Sequence, residues 1–292
     1  MEMNNLELVS VKEVLIKRIN SFKSTTLPDI ISVEEPLEIL LQYGPENQRI
    51  LKNISVTMRT PGNDIQLAIG FLFTEGIISS YDNVKDAYHL ETGCKIQKKN
   101  SIQIELKEDF VPHLMKAERN FYTTSSCGVC GKGSIEAIKT VSSFSFANKP
   151  KLNLSLETLY QMPQRLRIAQ SDFAATGGIH ACGLFSADGE LILSHEDVGR
   201  HNALDKLIGS ALAANLLPLN KHILILSGRA SFELIQKAAM SGISVVAAIG
   251  APSSLAVELA IEFNITLLGF LKEDRVNIYN SSDTVSIETH QE

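Results

Sequence analysis

The sequence predicts an α/β protein with a large C-terminal unit and a smaller N-terminal α+β unit. Three observations carry that prediction. From residue 222 onward the chain alternates apolar strand and amphipathic helix: strands over 222–226, 244–249 and 265–270, helices over 231–240 and 253–263. Short β-α-β-α-β connections imply neighbouring parallel strands joined by right-handed crossovers. The N-terminal third instead shows strand-like runs around a single helix. Finally, 292 residues with 44% hydrophobic and 21% charged content suffice for one large domain or two ordinary ones.

Residues 1–25 are polar and mixed, and read as a lead-in segment or an extra helix. Strands are expected over 31–33, 37–41 and 54–58, the last two separated by the turn residues Gly44-Pro45-Glu46-Asn47. After the turn Arg59-Thr60-Pro61-Gly62-Asn63, apolar Ile65, Ala68, Ile69, Leu72 and Phe73 fall at helical spacing, and Gly76 ends that helix. A strand over 102–106 follows. Then comes a glycine-rich segment, Ser125-Ser126-Cys127-Gly128-Val129-Cys130-Gly131-Lys132-Gly133-Ser134, with a helix starting near Ser134. Residues 145–155 read as an irregular linker and 155–170 as a helix. Two strands flank Asp188-Gly189, a hairpin signal. The expected divisions are a lead-in over 1–25, an α+β domain over 26–115, and a C-terminal domain over 116–292 that carries the cysteine loop.

A net charge of −6 argues against a broad nucleic-acid surface, but is compatible with a small anion in a local pocket. No basic stretch followed by an apolar run opens the chain, and the apolar stretch over 243–263 is interrupted by Gly250, Pro252 and Glu258. The expectation is a cytoplasmic chain with no membrane span. In a reducing compartment a close cysteine pair is catalytic or metal-binding more often than structural.

Cys127 and Cys130 can pass a sulfur, form a disulfide or bind zinc. Lys132 and the expected helix start both favour a thiolate there. Zinc needs further ligands, and Cys94 and Cys182 are isolated; no His-x-Glu precedes a Pro-Cys-x-x-Cys. The other polar clusters lie downstream. His195-Glu196-Asp197-Val198-Gly199-Arg200-His201-Asn202 leads into a helix, either as a pocket wall or as a charged helix start. Ser227-Gly228-Arg229-Ala230-Ser231 and Gly250-Ala251-Pro252-Ser253-Ser254 occupy successive crossovers, where helix N-termini favour anions. Either could be simple capping; side by side they suggest an anionic ligand such as a nucleotide. Arg59 to Asp64 is balanced between structure and site, and His89, His113, His222 and His290 take no role.

These motifs, together with Thr176-Gly177-Gly178-Ile179-His180, Val33-Glu34-Glu35-Pro36-Leu37 and the stretches 227–240 and 251–258, resemble in order those of the FdhD family. The resemblance runs from about residue 31 to 280. It implies a sulfur carrier needed for formate dehydrogenase activity. A cysteine desulfurase would supply sulfane sulfur, Cys127 would carry it as a persulfide, and Cys130 would be its partner. The acceptor would be the molybdenum or tungsten bis(molybdopterin guanine dinucleotide) cofactor, bound as substrate. The family fold implies a three-layer C-terminal domain similar to cytidine deaminases, without their catalytic zinc, and a homodimer. Phe270, Leu271, Lys272, Glu273, Asp274 and Arg275 align with a cofactor-binding stretch, although Lys272-Glu273 replaces a glycine-containing basic run. Ser227, Gly228, Arg229, Ser231, His180, His201 and Asn202 are the other expected cofactor contacts. A zinc-dependent deaminase-like hydrolase and a non-catalytic cofactor chaperone are the competing readings.

Overall fold

Apolar residues in the C-terminal third alternate across short strands, and that alternation builds the centre of the molecule. The computed structural model describes residues 10–90, 100–114, 144 and 150–288. Its main sheet has six strands: β8 (His180–Phe185), β9 (Leu191–Asp197), β10 (Ile223–Leu226), β11 (Val245–Ala248), β12 (Thr266–Gly269) and β13 (Asn277–Asn280). Their order is β13-β12-β11-β10-β8-β9. β10, β11 and β12 are parallel, as the alternating pattern predicts, with Ile223 opposite Val245 and Val245 opposite Thr266. The other pairings, β8 with β9 and β10 and β12 with β13, are antiparallel.

Successive side chains of a strand point to opposite faces. Ile223, Ile225, Val245, Ala247 and Leu268 therefore pack on Leu159, Met162 and Leu166 of α2 (Leu156–Ala169). Leu224, Leu226, Val246, Ala248 and Leu267 pack on the opposite side. There they meet α4 (Arg200–Ala213), α5 (Phe232–Met240) and α6 (Ser254–Glu262). The result is helix, sheet and helices in three layers. A short helix, α3 (Ser171–Thr176), connects α2 to β8.

The same core continues into the N-terminal part. A four-stranded sheet, ordered β4-β3-β6-β5, comprises β3 (Glu35–Tyr43), β4 (Ile50–Arg59), β5 (Val84–His89) and β6 (Ser101–Leu106). Its inner residues Leu37, Ile39, Leu41, Ile102 and Ile104 join one buried cluster with α1 (Asp64–Thr74) and α4. The two helices touch backbone to backbone. A Cβ on Gly70 would lie 1.9 Å from the Asp205 carbonyl oxygen, and one on Gly209 would lie 1.9 Å from that of Gln66. A buried polar knot adds α5 to this pair. Lys237 Nζ donates to Thr74 Oγ1 at 2.9 Å and to Asp205 Oδ2 at 3.0 Å, and Thr74 Oγ1 donates to Asp205 Oδ1 at 2.9 Å.

Two expectations are corrected. Much of the 1–25 stretch is neither helix nor lead-in: β1 (Val11–Asn20) and β2 (Lys23–Ser32) form an antiparallel ribbon, registered from Val11 opposite Ser32 to Asn20 opposite Lys23. Neither of its faces is buried, so the burial-driven alternation that marks a strand in sequence is missing. At its base, Ser10 Oγ donates to Asp172 Oδ1 at 3.1 Å, and Ser32 Oγ lies 3.0 Å from Thr176 Oγ1. The supposed linker over 145–155 ends in β7 (Leu152–Ser155), which pairs in parallel with β14 (Val285–Glu288) and buries Leu152 and Leu154. That partner lies far away in sequence, which is why a four-residue strand reads as loop. Among the described residues no helix is long and apolar enough to cross a membrane. The cysteine loop with Cys127 and Cys130, Cys94, His290 and the helix expected near Ser134 lie outside the described residues.

Candidate functional site

One edge of the six-stranded sheet collects the polar motifs. β8 begins there at His180, opposite Asp197 at the end of β9, while Leu226, Ala248 and Gly269 end the parallel strands at the same edge. Ligands of parallel sheets bind beyond such strand ends. The loops that follow are zipped together: Gly250 N donates to Gly228 O at 3.0 Å, Ser253 N to Ala230 O at 3.0 Å, and Phe270 N to Gly250 O at 3.1 Å. Gly250 is required by this closeness, since a Cβ would stand 3.0 Å from Gly228 O and 3.1 Å from Arg229 Cα. The N-termini of α4, α5 and α6 open at or beside these loops.

A cleft of about 670 Å³ lies at this edge, lined among others by Arg167, Phe173, Ile179, His180, Ser227 and Glu273. Ile179, Val198 and Ile249 supply apolar surface, and Gln164 and Gln170 supply amides. The Arg167 guanidinium stacks on Phe173, 3.4 Å from the ring centroid. Ser227 Oγ is already engaged, accepting from Ala181 N at 2.8 Å. Glu196 braces the wall by accepting from the backbone N–H groups of Asp172 and Phe173 at the start of α3.

His180 stands beside Gly228, where a Cβ would come within 3.3 Å of its ring. Burial, and then the charge of Arg200, lower its pKa below the ordinary histidine value. His201 lies behind it on α4, with Nε2 3.2 Å from Ser231 Oγ and 3.8 Å from Glu233 Oε2. Burial, followed by the charges of Arg200 and Lys237, lowers His201 to about 4. Both rings are therefore neutral near pH 7 and offer hydrogen bonds rather than charge.

His180, Ser227, Gly228, Glu273, His201 and Ser231 are thus brought to this edge. Arg229 is exposed on the loop beside Gly228, and Phe270 follows β12 in a left-handed conformation with φ 53°. Lys272, Asp274 and Arg275 are exposed on a turn in which Lys272 N donates to Arg275 O at 2.9 Å. Two expected contacts are otherwise occupied. Leu271 is buried in the core beneath the sheet. Asn202 is a latch: its Nδ2 donates to Met58 O at 2.7 Å and to Asp197 Oδ1 at 3.2 Å, and its Oδ1 accepts from Thr57 Oγ1 at 3.1 Å. Cys182 is buried on β8, where burial pushes its thiol pKa far up, so it carries no thiolate.

The Arg59–Asp64 motif turns out to be a brace. Arg59 Nε and Nη2 grip Asp64 at 3.0 and 2.9 Å, and both side chains are fully buried. The next residue, Thr60, locks onto the end of β9: its N donates to Asp197 Oδ2 at 3.1 Å, and its Oγ1 accepts from Val198 N at 3.1 Å. Lys206 Nζ completes the lock, 2.7 Å from Asp197 Oδ2 and 2.8 Å from Thr60 O. Arg167, Phe173 and Gln164 lie on ordinary-looking helices and Gln170 at the junction between them, with no motif around any of the four to mark it in the sequence. Arg200 sat inside a motif that was recognised, but nothing in the sequence set it apart from its neighbours.

Comparison with known proteins places this architecture. Residues 32–286 match the model of the FdhD/NarQ family. A protein of Mycolicibacterium paratuberculosis named sulfur carrier protein FdhD is 49% identical over 261 residues, covering 88% of this chain and 92% of its own. The protein of that name from Picrophilus torridus is 40% identical over 277 residues, covering 95% and 98%. The crystal structure of a putative formate dehydrogenase accessory protein from Desulfotalea psychrophila superposes with a TM-score of 0.69 at 20% identity, covering 95% of this chain and all of that one. Fold, motif order and sequence identity agree, and the chain belongs to the FdhD/NarQ family.

Proposed function

We propose that this chain is a cytoplasmic sulfur carrier with sulfurtransferase activity. It takes sulfane sulfur from a cysteine desulfurase and passes it to the molybdenum or tungsten bis(molybdopterin guanine dinucleotide) cofactor destined for formate dehydrogenase. In the loading step the Cys127 thiolate attacks the terminal sulfur of the desulfurase persulfide. The bond between that sulfur and the desulfurase cysteine breaks, the desulfurase leaves as a thiolate, and Cys127 holds the new S–S bond. No outside oxidant or reductant is needed. Cys130, three residues along, is the partner thiol, and a homodimer is the expected working unit.

The observation that carries the acceptor half is the convergence of three zipped crossover loops on a cleft of about 670 Å³. That volume accommodates a nucleotide. The cleft offers an apolar floor for a base and amides and Glu273 for its edge, and the N-termini of α4, α5 and α6, which open at or beside the bordering loops, favour phosphates. The test is intact mass after incubation with a cysteine desulfurase and cysteine. One added sulfur is expected, mapped to the peptide containing Cys127, lost on reduction, and missing in Cys127→Ala, which still binds guanosine diphosphate. A Cys127→Ala protein that matures formate dehydrogenase fully would place the carrier elsewhere.

A further inference from the structure

Arg200 Nε is the one buried arginine nitrogen without a partner among the described residues, and Arg200 follows the cleft-lining Val198 by two positions. It is the first residue of α4 and is half-buried; its Nε is shielded from solvent yet makes no hydrogen bond. Arg59 shows the contrast, since its guanidinium is gripped by Asp64 through two nitrogens. No carboxylate of the described residues forms an ion pair with Arg200. The Arg200 charge reaches Glu233, which is held by its own backbone N–H and by Ser231 at the start of α5. An unpaired guanidinium N–H shielded from water is costly, and a bound anion is one way such a group is completed.

Its surroundings have the chemistry of an oxyanion site. Arg200 directly precedes His201 at the start of α4 and lies two residues past Val198, which lines the cleft together with His180, and its charge is felt by both imidazoles. His180 lines the cleft and lies against Gly228, so a side chain at 228 would press into the imidazole. The missing Cβ at Gly228 is what lets the ring lie against this backbone, so one anion could meet both. Arg229 adds a second exposed cation at the same loop. Arginine's planar fork suits phosphate oxygens, which it can hold through two parallel hydrogen bonds.

We infer that Arg200 is an anion-binding residue of the acceptor site, taking a phosphate or diphosphate group beside the His180 ring and the Gly228 backbone. This rests on the nucleotide-bearing acceptor proposed above and adds its polarity: base toward Phe173 and Arg167, phosphates toward Arg200.

Calorimetry of the full chain with guanosine diphosphate, inorganic pyrophosphate and guanosine tests this. Wild type is expected to bind the diphosphate, with pyrophosphate competing. Arg200→Gln should weaken both at least tenfold, whereas guanosine binding should stay the same. Arg200→Lys, which keeps charge but loses the fork, should fall between. A readout on unaltered protein guards against a variant that fails to fold: phenylglyoxal modification of Arg200, mapped by mass spectrometry, should be blocked by guanosine diphosphate and by pyrophosphate. If guanosine diphosphate binds but Arg200 is modified at an unchanged rate, or Arg200→Gln binds it as wild type does, the inference is wrong. If pyrophosphate protects Arg200 but guanosine diphosphate does not bind, the anion site stands and the nucleotide reading under Proposed function fails.

Discussion

Replacing Lys206 with Met probes the joint between the N-terminal part and the functional edge. Lys206 Nζ lies 2.7 Å from Asp197 Oδ2, 2.8 Å from Thr60 O and 3.3 Å from Glu196 O, and both charged side chains are buried. Methionine preserves much of the stem packing but leaves the Asp197 carboxylate without its counter-charge. Breaking a buried pair by removing one partner costs about 3–5 kcal/mol. Asp197 would keep hydrogen bonds from Thr60 N, Gly199 N and Asn202 Nδ2. Those three donors still stabilise the anion, so the lower end applies, about 3 kcal/mol. Urea unfolding monitored by circular dichroism should show the midpoint falling with an unchanged slope. Adding Asp197→Asn removes the stranded charge, so the double variant should be more stable than additivity of the two singles predicts. A Lys206→Met protein within about 0.5 kcal/mol of wild type, the range of an ordinary surface change, would refute the reasoning.

Two further outcomes follow from the same structure. Gly209→Ala puts a Cβ 1.9 Å from Gln66 O at the α1–α4 crossing. Overpacking of about 1–3 kcal/mol should exceed the roughly 1 kcal/mol of helix propensity gained, so thermal unfolding should occur at lower temperature; a rise would show that the helices separate freely. Burial, reinforced by the charge of Lys206, lowers His195 to about 4, and its Nε2 lies 2.7 Å from Ser210 Oγ. Between the ordinary histidine pKa and that value, the unfolded chain takes up a proton that the folded chain refuses. Stability should therefore fall as pH drops below about 6.5, by up to ~1.4 kcal/mol per unit from this group, and His195→Gln should flatten that dependence. An unchanged pH profile for the variant would mean that His195 is not held neutral.

Periodicity was enough for the parallel half of the main sheet. The runs at 223–226 and 245–248 are wholly buried, each bounded by turn residues and followed by an amphipathic helix, and neighbouring parallel pairing is the short-connection solution. Local chemistry also marked the crossover loops, because Ser227-Gly228-Arg229 and the 250–254 stretch carry glycine and capping residues wherever they are folded. The β1–β2 ribbon, β7 and β14 were hidden for a different reason. Their strand character depends on a partner and on burial supplied by the rest of the chain, and the ribbon has little burial at all.

The α/β class, the motif order and the chemical types at the functional edge are legible in the residues alone, since these are local properties of spacing and side-chain chemistry. Which of those residues meet was set by the packing of the layers. It turned Arg59–Asp64 and Asn202 into braces, sank Leu271 into the core, and stacked Arg167 on Phe173 at the cleft. It also left Arg200 Nε shielded from solvent with no hydrogen bond. The physical reason is that hydrogen-bond satisfaction and burial are set by neighbours far apart along the chain, so neither quantity exists until the layers have packed.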